Sequence, residues 1–197
     1  MENMEGMRII AIVGMAGSGK SVVASYFRNR GVPVIRFGEI IVREVERQGL
    51  PLSPHNERVV REDIRAKGGM DAVAKLALPH IREYLKQHQL VIIDGLYSFS
   101  EYKTLRKEFD AKLIVVAVFT PKQIRYQRLA HRAERPLSKE EAEERDMLEI
   151  ERIEKGGPIS LADFTIINQG SETDLYNKIE DILKAVKGGA YKDKDNA

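Results

Sequence analysis

Two residues near the start of the chain, Lys20 and Ser21, have the types and the setting to handle phosphate and a metal ion. They close the run GMAGSGKS, residues 14–21, which fits the pattern G-x-x-x-x-G-K-[ST] between an apolar segment and a helical one. Glycine loses the most conformational freedom on folding, so Gly14, Gly17 and Gly19 in so short a run imply that something approaches the backbone closely. That something is an anion. Successive backbone N–H groups turned inward form a concave nest, and the helix that follows adds its unbonded N–H groups and positive dipole end. Lys20 supplies a point charge for the β- and γ-phosphates, and the Ser21 hydroxyl a ligand for Mg2+. Met15, Ala16 and Ser18 complete the loop. The expected ligand is a nucleoside triphosphate with Mg2+, read as ATP because no N-K-x-D guanine signature is present.

A second metal contact should come from the end of another central strand. LVIIDG, residues 90–95, delivers Asp94 there, where ligands of parallel sheets gather. Further on, the spacings of Arg125, Arg128 and Arg132 place them along one helix face. Such a stripe repels itself unless anions meet it, and phosphoryl transfer needs cationic clamps for the charge on the transferring group. The alternative is a solvated face paired with Glu134, Glu140 and Glu144. Arg128 and Arg132 stand ahead of Arg135 as candidates. Arg61 and Arg65, four apart, suit either an acceptor phosphate or pairing with Glu62 and Asp63. Tyr97, Phe99 and Tyr102 either line a substrate pocket or staple the next helix. His55, His80, His88 and His131 have no metal-ligand spacing.

The 197 residues, 43% of them hydrophobic, suffice for one large domain with a real core. There is no cysteine, which excludes disulfides, thiolate catalysis and Cys-ligated zinc. The 32 basic residues barely exceed the 30 acidic ones, so composition gives no sign of a nucleic-acid partner. No apolar run approaches the roughly 20 residues of a membrane helix. The opening MENMEGMRIIAIVG carries two glutamates and no small-residue cleavage site, so a cytoplasmic protein is expected.

The elements that must position these residues alternate. Strands are predicted at 7–14, 32–37, 90–95, 112–120 and 163–168, with unbroken apolar runs in the first, third and fourth as in parallel strands covered on both faces. This order predicts an α/β layered sheet. Gly31 is the expected C′ residue of a helix over 20–30, and Pro121 the first helical residue of another. SFSE (98–101) and SKEE (138–141) have the form of capping boxes. Leu175, Ile179, Ile182, Leu183 and Val186 form one stripe on the last helix. A single domain is expected over 1–187, with inserts at about 38–89 and 133–160, and a disordered polar tail at 188–197.

With these pieces assembled, the chain resembles the nucleoside-monophosphate-kinase-like branch of P-loop kinases. The nearest likeness is to dephospho-coenzyme-A kinase and a set of related archaeal proteins. GMAGSGKS carries the likeness, with Arg128, Leu129 and Arg132, SKEEAEER ending at Arg145, and ADFTIINQGS (162–171). The resemblance implies a P-loop NTPase fold with a five-stranded parallel sheet flanked by helices and the loop strand central. It also implies an acceptor-binding insert after the second strand and a lid after the fourth. By the same resemblance Asn168 and Gly170 would lie near the nucleotide base and Arg132 near the phosphates. The chain departs from the likeness where those kinases carry Asp-x-Asp after the second strand: here Arg36 and Gly38 stand, with Glu39 next. Glu39 is either a displaced base or a contact to an acceptor sugar. FGEIIVRE also loosely resembles the Gly-Asp-apolar-apolar-Arg element of adenylate kinases. The function this implies is ATP- and Mg2+-dependent phosphoryl transfer to a small nucleotide-like acceptor. The alternative is a nucleotide-dependent switch or ATPase acting on a macromolecule through the 38–89 insert.

Overall fold

The computed structural model describes residues 6–187, so the tail at 188–197 lies outside them. In chain order the elements are β1 (Arg8–Val13), α1 (Lys20–Arg28), β2 (Val34–Arg36), α2 (Phe37–Arg47), α3 (Pro54–Gly68), α4 (Ala72–Gln87) and β3 (Leu90–Asp94). There follow α5 (Phe99–Phe109), a 3-10 turn (Asp110–Lys112), β4 (Leu113–Phe119), α6 (Lys122–Ala130), α7 (Lys139–Ile153), α8 (Gly156–Ser160), β5 (Phe164–Ile167) and α9 (Glu172–Lys187). The five strands form one parallel sheet in the order β2-β3-β1-β4-β5, with the loop-bearing strand central.

The unbroken apolar runs follow from this placement. In β1, Ile9, Ala11 and Val13 point into a core shared with α2, α4 and α5, whereas Ile10 and Ile12 point into one shared with α1 and α9. A strand walled on both faces has no polar side to show. The α9 stripe packs on the second core, with Leu175 and Ile179 fully buried and Ile182, Leu183 and Val186 partly so.

The two inserts are helical, and α2, α3 and α4 contribute Val45, Val60 and Ala77 to the core on one face of the sheet. After β2 come α2, α3 and α4, which pack on one another. After α6 come α7, held against α6, and α8, held against α5 and β4. Both predicted capping boxes form: the side chains of Ser98 and Glu101, and of Ser138 and Glu141, bond each other's backbone N–H groups at the starts of α5 and α7. Two boundaries differ. The first helix ends at Arg28 with Asn29 as its C-cap, so Gly31 lies beyond the C′ position, where its φ of 73° turns the chain towards β2. Pro121 is the N-cap of α6, because its extended ψ of 141° keeps it outside the helix.

Candidate active site

The chain leaves β1 and turns at once into the loop. Gly14 has φ 146°, and a β-carbon on it would collide with the Val118 carbonyl of the neighbouring strand. Gly19 has φ 100°, and a β-carbon there would collide with the Asn168 amide. No other residue type fits either place without displacing backbone or a buried amide. The loop is gripped from beneath. Asn168 Nδ2 donates to the Ser18 carbonyl at 2.8 Å, Arg125 Nη1 to the Ala16 carbonyl at 3.0 Å, and the buried Thr120 hydroxyl lies 3.0 Å from the Ser18 carbonyl.

Gly19, as N-cap of α1, offers no side-chain acceptor, and no acid stands in the first turn. The first N–H groups of α1 therefore face the hollow of the loop with the positive helix end behind them, a fit for a polyphosphate. Lys20 folds back over that hollow, its Nζ donating to the carbonyls of Gly14 at 2.8 Å and Met15 at 2.9 Å. Burial, and after it the neighbouring Lys155 ammonium, lowers the Lys20 pKa to about 7. Ser21 is exposed on the first turn of α1, and Asp94 is 6% exposed at the end of β3, in register with Ile12 of β1 and Arg36 of β2. Their oxygens suit a hard cation. Among the described residues no three His, Asp or Glu side chains cluster to hold a metal ion.

The arginines divide. Arg125 is buried and bidentate to Asp146 of α7, with Nη2–Oδ2 at 2.6 Å and Nη1–Oδ1 at 3.1 Å, and Tyr126 donates to the same carboxylate at 3.1 Å. Its charge is answered inside the protein, and it ties α7 and α6 to the loop. Arg128 reaches the Thr120 hydroxyl at 3.4 Å and stands beside Gly19. Arg132 does not extend the stripe, because α6 ends at Ala130. Partial burial, then the Arg145 guanidinium, lowers the Arg132 pKa, so two like charges share this side of the loop. Arg135 reaches Glu57 of α3 at 3.5 Å.

Beside the loop, between α2, α3 and α7, is a cleft of about 340 Å3. Phe37, Ile41, Val73, Tyr97 and Ile153 give it apolar walls, and Arg61, Arg65, Arg145, Glu101 and Glu149 line it with charge. Glu101 is fully buried, and its Oε2 accepts from the N–H groups of Tyr97 at 2.8 Å and Ser98 at 2.9 Å. Its Oε1 has no hydrogen-bond partner, nor does Arg65 Nε; the two side chains come no nearer than 3.8 Å. Lys155, 1% exposed, sets its Nζ 2.5 Å from Glu149 and 4.9 Å from the centre of the Tyr97 ring. Glu149 also accepts from Arg145 Nε at 3.1 Å. Burial works to raise the Glu149 pKa, but Lys155 and Arg145 outweigh it and hold the group below the usual carboxylate range.

Comparison with known proteins agrees with this geometry. A family described as "AAA domain" matches residues 10–149. A UPF0200 protein of Thermococcus gammatolerans is 38% identical over 190 residues, which cover 92% of this chain and 100% of that one. The chain belongs to the UPF0200 family. A UPF0200/UPF0201 protein of Archaeoglobus fulgidus is 38% identical over 182 residues, 90% of this chain, and the chain spans about half (55%) of that relative's length. Among solved structures, TT1252 from Thermus thermophilus matches with a TM-score of 0.66 and 21% identity, covering 90% of this chain and 96% of that one. A shikimate kinase from Bacteroides thetaiotaomicron matches at 0.58 and 14%, covering 90% and 99%. These two likenesses concern the fold: this UPF0200 chain has the P-loop kinase fold.

Of the residues singled out from the sequence, Gly14 to Ser21, Asp94 and Arg128 meet at the loop. Asn168 is there too, but its amide nitrogen is engaged by Ser18, so it shapes the loop from below. Gly170 opens the turn that Ser171 and Asp174 cap at the start of α9. Glu39 is exposed in the first turn of α2 and is not among the residues lining the cleft. Arg36 is what meets Asp94, Nε to Oδ2 at 3.2 Å. Lys155, Glu149 and Glu101 did not emerge from the sequence. The usable signal for Glu101 was the capping box that fixes it, whereas Lys155 follows the left-handed Glu154 that caps α7, which no residue pattern marks. A larger recess of about 530 Å3, among Met7, Arg82, Lys86 and Lys112, lies at the amino ends of β1 and β4, away from the end where parallel sheets bind ligands.

Proposed function

We propose that this protein transfers the terminal phosphoryl group of ATP, with Mg2+, to a small nucleotide-like acceptor held in the cleft between α2, α3 and α7. One observation carries the reading: the cleft adjoins the strand end beside the phosphate loop. Asp94, in register with Ile12 of the loop strand, is followed three residues later by Tyr97 of the cleft wall, and the buried Lys155 is paired to Glu149 of the same wall and lies over the Tyr97 ring. The loop amides and Lys20 would bind the phosphates, Ser21 and Asp94 would hold Mg2+, and Arg128 and Arg132 would meet the charge on the transferring group. Bound Mg2+ would draw charge off the β- and γ-phosphates. Closure of α7 over the acceptor would exclude water, so that ATP is not hydrolysed unproductively.

The test is ADP formation from Mg-ATP with AMP, CMP, UMP, dephospho-coenzyme A or water alone, with Lys20→Ala as blank. A rate well above water with one acceptor is expected. Slow hydrolysis indifferent to every acceptor, and absent in Lys20→Ala, would turn the reading to an ATPase with a macromolecular partner.

A further inference from the structure

Arg36 and Asp94 close neighbouring strands side by side. They are in register at the ends of β2 and β3, and Arg36 Nε donates to Asp94 Oδ2 at 3.2 Å. Among the described residues no other group donates to that carboxylate. The Asp94 side chain is 8% exposed, and a carboxylate so nearly dry is costly to leave without a counter-charge. Arg36 supplies it. Yet Asp94 is also the residue read above as a ligand for Mg2+, so a guanidinium and a metal lay claim to one carboxylate.

Two other cations stand on this side of the sheet, and neither is free to yield. Lys20 Nζ is tied to the carbonyls of Gly14 and Met15, and Lys155 is buried and paired to Glu149. Arg36 has water at hand, its side chain 43% exposed. Its stem lies against Gly38 of the cleft wall, with Cγ and Cδ 3.9 Å from where a Gly38 β-carbon would stand. The guanidinium can therefore turn outward about that stem without opening a hole in the core. A doubly charged cation on either oxygen of Asp94 repels a guanidinium on the other, and the group with water to go to is the one that leaves.

We propose that Arg36 is a place-holder for the metal: it keeps Asp94 paired while no cation is bound there and leaves the carboxylate when Mg-ATP enters. This rests on the transfer reading above, in which Asp94 helps to hold Mg2+. No proton moves and no covalent bond changes, since one counter-ion replaces another. Arg36 is thus an antagonist of metal binding and not a part of the metal site. Because its stem stays on Gly38, the released guanidinium remains at the cleft, and occupation of the loop changes the charge that the cleft presents.

Two measurements on the full chain test this, both with the β,γ-imido analogue of ATP so that nothing turns over. The first follows the Arg36 Nε–H by 1H–15N NMR, its signal assigned by its loss in Arg36→Gln. A hydrogen-bonded guanidinium N–H exchanges slowly with water, so the signal is expected in the protein alone and with the analogue in EDTA. With the analogue and Mg2+ it should vanish or move to the position of a released arginine, for which Asp94→Ala is the reference. A signal that stays in place with Mg2+ and the analogue bound would overturn the inference, because guanidinium and metal would then share Asp94. The second measurement is affinity by calorimetry. Taking a positive charge from beside a polyanion weakens binding by itself, whereas taking away a competitor of the metal strengthens it. Arg36→Gln is expected to lower Kd for the analogue with Mg2+ by roughly two- to fivefold, the worth of a partly exposed ion pair, and not to lower it in EDTA. A Kd with Mg2+ that is unchanged or raised would make Arg36 a prop for Asp94 and overturn the inference, leaving the transfer reading standing. Binding indifferent to Mg2+, or undiminished in Lys20→Ala, would overturn both.

Discussion

Around the phosphate loop the protein grips its own backbone: Asn168 and Arg125 donate to loop carbonyls, and Val118 and Asn168 press where any β-carbon would be. Around the cleft the work falls to long charged side chains, and one pair is left 3.8 Å apart with an unbonded atom on each partner. The difference separates a region whose shape is complete without its ligand from one that a ligand must complete. In the first, the backbone carbonyls of Ala16 and Ser18 already have partners inside the protein, and only the small Ser18 hydroxyl is buried without one. In the second, arginine and glutamate wait in a low-dielectric space where unmet charge is costly.

Breaking the first region should show as lost stability. Arg125→Ala leaves Asp146 buried with only the Tyr126 hydroxyl, and should cost roughly 3–5 kcal/mol in urea unfolding. A loss below about 1 kcal/mol, the level of an exposed pair, would mean that the tie between α7 and the loop is not structural.

Next in size is a loss of rate without a loss of fold. Lys155→Met removes a buried ammonium and leaves Glu149 to Arg145. The urea midpoint should fall, but by less than in Arg125→Ala, since Glu149 keeps its hydrogen bond to Arg145. Turnover should fall by roughly 10²–10³-fold, as when one preorganised donor is taken from a transition state. Unchanged turnover would confine Lys155 to packing.

A smaller effect sharpens the comparison at Lys20. Its pKa is lowered from 10.5 to about 7, so near pH 8 the free protein holds it mostly neutral. A bound triphosphate favours the charged form, so Mg-ATP binding at about pH 8 should take up close to one proton, and little near pH 6, relative to Lys20→Ala. Calorimetry in two buffers of different ionisation heat reads this directly, and equal heats in both would contradict it. The sign for the free protein follows. The unfolded chain binds the extra proton between about 7 and 10.5, so the Lys20 contribution makes stability rise with pH across that window and flatten outside it.

The least effect is expected on the outer face of α7. The ion pair Lys122–Glu143, about half exposed on both sides, links α6 to α7. Lys122→Ala should leave the urea midpoint almost unchanged, and less affected still in high salt. A cost comparable to that of Arg125→Ala would show that surface charge also pins α7.

What the sequence made legible follows the same division. Backbone tasks leave marks at fixed spacing, such as the glycines of 14–19, the two Ser-x-x-Glu boxes and the apolar strands on either side of the loop. Side-chain tasks do not. Arg125 and Arg128 are one turn apart in a single helix, yet one is locked to Asp146 and the other stands beside Gly19, which only the packing of α7 decides. Lys155 lies in a stretch so rich in charge that no pattern tells which residue turns inward. It does so because α7 ends at Glu154 in a left-handed conformation, φ 53°, and the Lys155 N–H turns back to the Glu149 carbonyl. Pro79 is instructive in the other direction. It sits inside α4, where local rules would end a helix, yet Val73, Ala77 and Ile81 on the same helix are buried in the core and hold it together.

The bond between Arg125 and Asp146 also bears on how this chain can drift over time. Losing either charge alone strands the other in a nearly dry space, whereas losing both together, with apolar residues filling the volume, is close to neutral. Positions 125 and 146 are therefore expected to change in step between lineages: an ancestor can cross from a charged pair to an oily one only by a double substitution or through a poorly folded intermediate.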